Sequence, residues 1–161
     1  VRTAQLEENT AWIAELETSG RYLLIHAENG IAALVRNARA VAAAHPRLRI
    51  YVPHLGWPRN EKKDDPLWRE SGHALHAIPN AIIGISSLLT FSREQVPHPD
   101  VHGFARELIQ LFGPSRLVAG SDFPFIDKPR YAGYVRLAHQ WIRTIWPQWS
   151  DSAAIFEQSP R

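Results

Sequence analysis

Arg116-Leu-Val-Ala-Gly-Ser-Asp-Phe-Pro-Phe125 is a short apolar run that ends in Gly120-Ser121-Asp122 and is then broken by Pro124. Such a run predicts a buried strand whose C-terminal end carries a carboxylate. Burying a carboxylate is costly unless it is paired, and metal ions and protonated histidines are the usual partners. Two earlier runs end in a comparable way, Tyr22-Leu-Leu-Ile-His26 and Ile50-Tyr-Val-Pro-His54. Three strands that each deliver a His or an Asp at the same end place a candidate site at the C-terminal mouth of a parallel sheet.

Working outward, the elements between these strands read as helices. Leu6, Asn9, Ile13 and Leu16 share one face of a first helix, with Trp12 beside them, and Ser19-Gly20 ends it. Ile31, Leu34, Val35, Ala38 and Ala42 keep the helical period, with Asn29 placed to cap and His45-Pro46 to stop. The second strand spans about 48–53. Asp65-Pro66 predicts an N-cap and a proline at the first helical position of a helix over about 67–78. Ala81–Ser87 is the third strand. Asp100 is expected to cap a periodic helix that Gly113-Pro114 stops. A further helix carries Tyr134, Leu137, Trp141 and Ile145 up to Pro147, and a last short helix follows near 150–157. Strand and helix alternate, which argues for an α/β fold with a parallel sheet and right-handed crossovers.

Composition narrows the function. The chain has 161 residues and a formal net charge of +2, which suits one domain with a sizeable core. Its charges are interspersed, so nucleic acid and an acidic membrane are not expected partners. No apolar run is long enough to span a bilayer and the first residues do not form a signal peptide. Cysteine is absent, which excludes disulfides and thiolate metal sites. A cytoplasmic setting and a small-molecule substrate are the expectation. Methionine is absent as well, position 1 included, and the natural start is expected upstream.

The stretches Leu23-Leu-Ile-His-Ala-Glu-Asn29, Tyr51-Val-Pro-His-Leu-Gly-Trp-Pro58, Pro79-Asn-Ala-Ile-Ile-Gly-Ile-Ser-Ser-Leu88 and Phe112-Gly-Pro-Ser-Arg-Leu-Val-Ala-Gly-Ser-Asp-Phe-Pro124 resemble, in order and spacing, successive motifs of the amidohydrolase-related metal-dependent hydrolases, the amidohydrolase 2 group. The resemblance covers nearly the whole chain, and its last stretch is the most specific. It implies that residues 1–161 are a partial (β/α)8 TIM-like barrel, the C-terminal half holding strands five to eight. A whole barrel runs to about 250 residues, so about 100 are expected in front. The family's first strand carries a His-x-His pair of metal ligands that this chain lacks. Pro53 stands where the family often has an aspartate before the strand-six histidine, which removes a partner that would orient His54.

The resemblance also assigns roles. His26 matches a metal ligand, Asp122 a metal ligand and proton acceptor, and His54 a general acid or base beside the reacting water. Read alone, His26 is equally a buried histidine bonded to backbone, Asp122 a turn residue before Phe-Pro, and His54 a loop histidine. Trp57, Arg59 and Ser86 are candidate substrate-binding residues. Arg59 can grip a carboxylate through paired hydrogen bonds, or be solvated. Ser86 can equally satisfy local backbone. His98 and His102 have metal-binding spacing but no third ligand beside them. His73 and His76 read as exposed. The implied function is hydrolysis of a lactone or amide-like bond, or decarboxylation, in a small carboxylated substrate. The implied cofactor is a divalent metal, zinc first, or none in a metal-independent lactonase. The alternative is a non-catalytic half-barrel fragment, whose open sheet edges are expected to pair with its missing N-terminal half or with a second copy.

Overall fold

In a computed structural model, the residues described are 11–27, 30–56, 66–86, 92–94 and 99–120, with Leu6, Asp122, Phe125, Arg136, Gln140, Ile142, Arg143, Thr144 and Pro147. The four apolar runs form strands β1 (Tyr22–Leu24), β2 (Arg49–Val52), β3 (Ala81–Ile85) and β4 (Leu117–Ala119). They alternate with helices α1 (Ala11–Thr18), α2 (Ile31–Ala44), α3 (Pro66–His76) and α4 (His102–Phe112). The sheet order is β1-β2-β3-β4 and every pairing is parallel. Strands joined in sequence order through helices, with no strand skipped, are what an α/β repeat of the barrel type produces. Among the described residues no helix is long and apolar enough to cross a membrane.

Register fixes two unlike faces. Leu23 pairs with Ile50, Ile50 with Ala81, and Ile83 with Leu117. These residues, with Ile25, Val52 and Ile85, are at most 1% exposed. They join Leu34, Ala38, Leu75, Leu108 and Ile109 of the helices in one core. Burying each large aliphatic side chain stabilises the fold by about 1.5–3 kcal/mol. The alternate residues Leu24, Tyr51 and Ile82 lie on the other face, in register with one another, and are only partly buried. Tyr22 on that face is 36% exposed.

The strands are shorter than the apolar runs. Pro53 has no N–H to continue the ladder, so β2 ends at Val52 and the chain turns into a 3-10 segment, His54–Gly56. Helix ends follow their punctuation. α2 stops at Ala44 before His45-Pro46, and α4 stops at Gly113, where φ is +67° and the N–H bonds Ile109 O at 3.0 Å. Pro66 is the first residue of α3. Asp100 does not cap α4. It lies in the 3-10 turn before the N-cap Val101 and accepts hydrogen bonds from Ser92 Oγ (2.5 Å) and Arg93 N (2.8 Å). His76 is half-buried where exposure was expected, since the last turn of α3 sets its ring edge-on against Phe112 at 5.6 Å. Ile142, in the last predicted long helix, is fully buried. Asn29, Asp65 and residues 150–157 lie outside the described residues.

The N-terminal end of the sheet is tied by side chains bonding backbone. Glu17 of α1 accepts from Arg47 N at 2.8 Å and sits 3.3 Å from His45 Nδ1. Asn80 Nδ2 donates to Leu48 O at 2.5 Å. Arg116 Nη1 donates to His76 O (2.9 Å) and Ile78 O (3.2 Å), and its guanidinium lies 5.0 Å over the Phe112 ring. Arg116 and Asn80 satisfy carbonyls at the end of α3, just after it and just before β2, and Glu17 satisfies the Arg47 N–H, where the backbone has no ladder partner.

Candidate active site

The C-terminal ends of the strands bring three predicted residues together. The His26 and His54 rings meet edge to face with centroids 5.3 Å apart. His54 Nε2 lies 3.7 Å from Asp122 Oδ1. His54 is 7% exposed, while Asp122 keeps 24% of its side chain open to the mouth. β1, β2 and β4 therefore deliver their chemistry to one place, as the sequence pattern predicts.

Backbone geometry at this mouth is unusual. His54 (φ +57°), Leu55 (φ +53°) and Asp122 (φ +64°) all occupy the left-handed region, which side chains other than glycine rarely adopt. Each such residue costs on the order of 1–3 kcal/mol and persists where its surroundings hold it. Ser86, at the end of β3, supplies that hold for His54. Its Oγ accepts from His54 N at 3.3 Å and lies 2.8 Å from His54 Nδ1. Ser86 is 3% exposed, so it sits beneath the histidine rather than at the open surface.

One residue escaped the sequence reading. Tyr51 lies on the partly open face, and its hydroxyl sits directly over Gly84. A Cβ at Gly84 would fall 2.3 Å from Tyr51 Oη, so only glycine fits there. Burial pushes the pKa of the phenol up to about 12. The available signal was the two-residue period of β2 and β3. It sets Tyr51 three residues before His54, and Gly84 two residues before Ser86.

Electrostatics favour a neutral His54. Burial disfavours the imidazolium and lowers its pKa, His26 adds to that effect, and the Asp122 carboxylate opposes it. The donor chemistry of His26 and Asp122, one imidazole and one carboxylate, suits a divalent ion such as zinc. Among the described residues no group of three His, Asp or Glu side chains is arranged to hold an ion. Trp57, Arg59 and His98 lie outside the described residues.

Comparison with known proteins identifies the family. The Amidohydrolase family profile matches residues 4–153. The chain belongs to the amidohydrolase family. It is 35% identical over 106 residues to the L-fucono-1,5-lactonase of Burkholderia ambifaria, a match covering 64% of this chain and 34% of the lactonase. Its fold is similar to a zinc-bound amidohydrolase of Burkholderia multivorans, with a TM-score of 0.63 and 20% identity over 82% of this chain and 48% of the other. It is equally similar in fold to a probable 2-pyrone-4,6-dicarboxylic acid hydrolase of Acinetobacter baumannii with citric acid bound. That match has a TM-score of 0.62 and 16% identity, and covers 80% of this chain and 48% of the other. The chain thus spans about a third of the lactonase and about half of each of these two structures. The four-stranded parallel sheet and these neighbours fit a TIM-barrel-type fold.

Proposed function

We propose that this chain is the C-terminal half of an amidohydrolase barrel, strands five to eight, and that the whole protein hydrolyses a small carboxylated substrate, with a lactone as the leading class. The observation that carries this reading is the approach of His54 Nε2 to Asp122 Oδ1 at 3.7 Å, beside His26, at the C-terminal mouth. Catalytic groups of barrel enzymes sit at that end. The lactonase relative and the dicarboxylic acid hydrolase neighbour support the substrate class.

In this reading Asp122, open to the mouth, accepts a proton from the attacking water. His54 faces the same water from the buried side, and the two share the proton transfers. Arg59 and Trp57 contact the substrate, with Arg59 pairing to its carboxylate. His26 and Asp122 would hold a divalent ion, which when bound supplies a Lewis acid for the scissile carbonyl and a charge that makes water easier to deprotonate. Asp122→Asn in the full-length protein tests the assignment. A loss of turnover of about 10²–10⁴-fold is expected, and near-normal turnover would sink it.

The half-open sheet face favours a second reading for the isolated chain, in which it associates with its missing half or with a copy of itself. Tyr22, Leu24, Tyr51 and Ile82 would line a barrel interior, and β1 and β4 are the sheet's edges among the described residues. Light scattering at micromolar concentration should find association. A stable monomer would refute it.

A further inference from the structure

We propose that the left-handed turn His54–Gly56 corrects a phase error in β2, with Leu55 and Gly56 as positioning residues that swing the His54 imidazole out of the core face and onto the active-site face. The catalytic consequence rests on the active-site reading above, while the placement of His54 does not.

Side chains alternate between the two faces of a strand. Leu23 and Ile25, Ile50 and Val52, and Ile83 and Ile85 all belong to the helix-covered core. Leu24, Tyr51 and Ile82 lie in register on the opposite face. Counting in twos along that face leads from Leu24 to His26, from Ile82 to Ser86, and from Val118 to Asp122. On β2 the same count leads from Tyr51 to Pro53 and misses His54. Continued as a strand, residue 54 would follow Ile50 and Val52 into the core, and residue 55 would take the site face. A shift of one residue exchanges the faces of everything beyond it.

The molecule makes that exchange within three residues. Leu55 is fully buried in the core cluster. The His54 ring lies 5.3 Å from His26, with Nδ1 2.8 Å from Ser86 Oγ and Nε2 3.7 Å from Asp122 Oδ1. The means is a run of left-handed backbone, φ +57° at His54, +53° at Leu55 and +75° at Gly56, closed by Gly56 N donating to Pro53 O at 3.1 Å. Glycine or asparagine would adopt the Leu55 conformation with less strain. Neither fills the core place, so leucine at 55 is explained by the anchor it provides. Gly56 seats the other side of the turn. A Cβ there would fall 3.0 Å from Ile31 Cδ1 and 3.2 Å from Ile31 Cβ. Ile31 opens α2, the helix that follows His26. The contact therefore ties the placement of one histidine to that of the other.

The test compares Leu55→Ala with Leu75→Ala in the full-length protein. Both residues are 0% exposed, so both variants should lose stability. Histidine ring signals are read by NMR of ¹³C-histidine-labelled protein, with those of His54 assigned by their loss in His54→Gln. Leu55→Ala should shift or broaden the His54 signals, and Leu75→Ala should leave them in place. Gly56→Ala, which removes nothing from the core, should also displace them. His54 signals unchanged in Leu55→Ala and Gly56→Ala, or moved as far by Leu75→Ala, overturn the proposal. With L-fucono-1,5-lactone as the probe substrate, kcat per folded molecule should fall about 10–100-fold in Leu55→Ala with little change in KM. Leu55→Met, which refills the core place, should recover most of it. Displaced His54 signals with undiminished kcat would leave the turn's role intact and remove His54 from the active-site reading.

Discussion

The two ends of the sheet both carry polar and ionisable side chains, and these behave in opposite ways. At the N-terminal end, Glu17, Asn80 and Arg116 each direct a charged or amide group at backbone that lacks a ladder partner. At the C-terminal end, His54 and Asp122 hold left-handed backbone and face each other at 3.7 Å, with His26 alongside. The first arrangement lowers the energy of the fold, and the second spends some of that stability on geometry. Parallel strands make this division possible, because every strand points its last residue at the same mouth.

The comparison predicts that substitutions at the two ends separate activity from stability. The largest effect is expected from Asp122→Asn in the full-length protein. Turnover should fall by about 10²–10⁴-fold, while stability measured by urea unfolding stays within about 0.5 kcal/mol. Asparagine tolerates the left-handed region as aspartate does, so the backbone at φ +64° is retained. A large drop in stability together with activity would erase the proposed division.

This division was only partly visible in the sequence. Apolar runs ending in His26, His54 and Asp122 marked three strand ends, and the alternation of helix and strand marked the parallel sheet. Both signals are local and periodic, so they survive without a structure. Asp100 could not be read, because a capping residue and a loop clasp look alike until the positions of Ser92 and Arg93 are known. Tyr51 was invisible for a similar reason. Its hydroxyl crosses from β2 to lie over β3, which depends on the register of the two strands and on the missing side chain at Gly84. Ser86 was singled out for substrate, and the structure sets it under His54.

At the opposite end, Arg116→Ala should do the reverse of Asp122→Asn. It removes two charge-assisted bonds, to His76 O and Ile78 O, and the stacking on Phe112. Partial burial lowers the guanidinium's pKa by desolvation. Stability should fall by about 1–3 kcal/mol, seen as a Tm lower by several degrees. Turnover per folded molecule should be unchanged. Lost turnover in a normally stable Arg116→Ala would show that the two ends are coupled through β4.

The smallest effect, and the one that separates charge from packing at the N-terminal end, belongs to Glu17. Its pKa is lowered from 4.5, chiefly because the carboxylate accepts the Arg47 backbone N–H, with His45 and the Arg47 side chain adding to the shift and desolvation opposing it. A carboxylate with a depressed folded-state pKa binds fewer protons in the folded than in the unfolded chain. Its stabilisation is therefore complete above the unfolded value near 4.5 and is lost as pH falls through the lower folded value. Glu17→Gln should lower stability slightly between pH 6 and 8 and flatten the decline below about pH 4.5. Because the site borders solvent, added salt should shrink the difference. If the acid decline persists unchanged in Glu17→Gln, the tie of α1 to the start of β2 is held by shape and hydrogen bonding alone. The charge at the quiet end of the sheet would then contribute nothing.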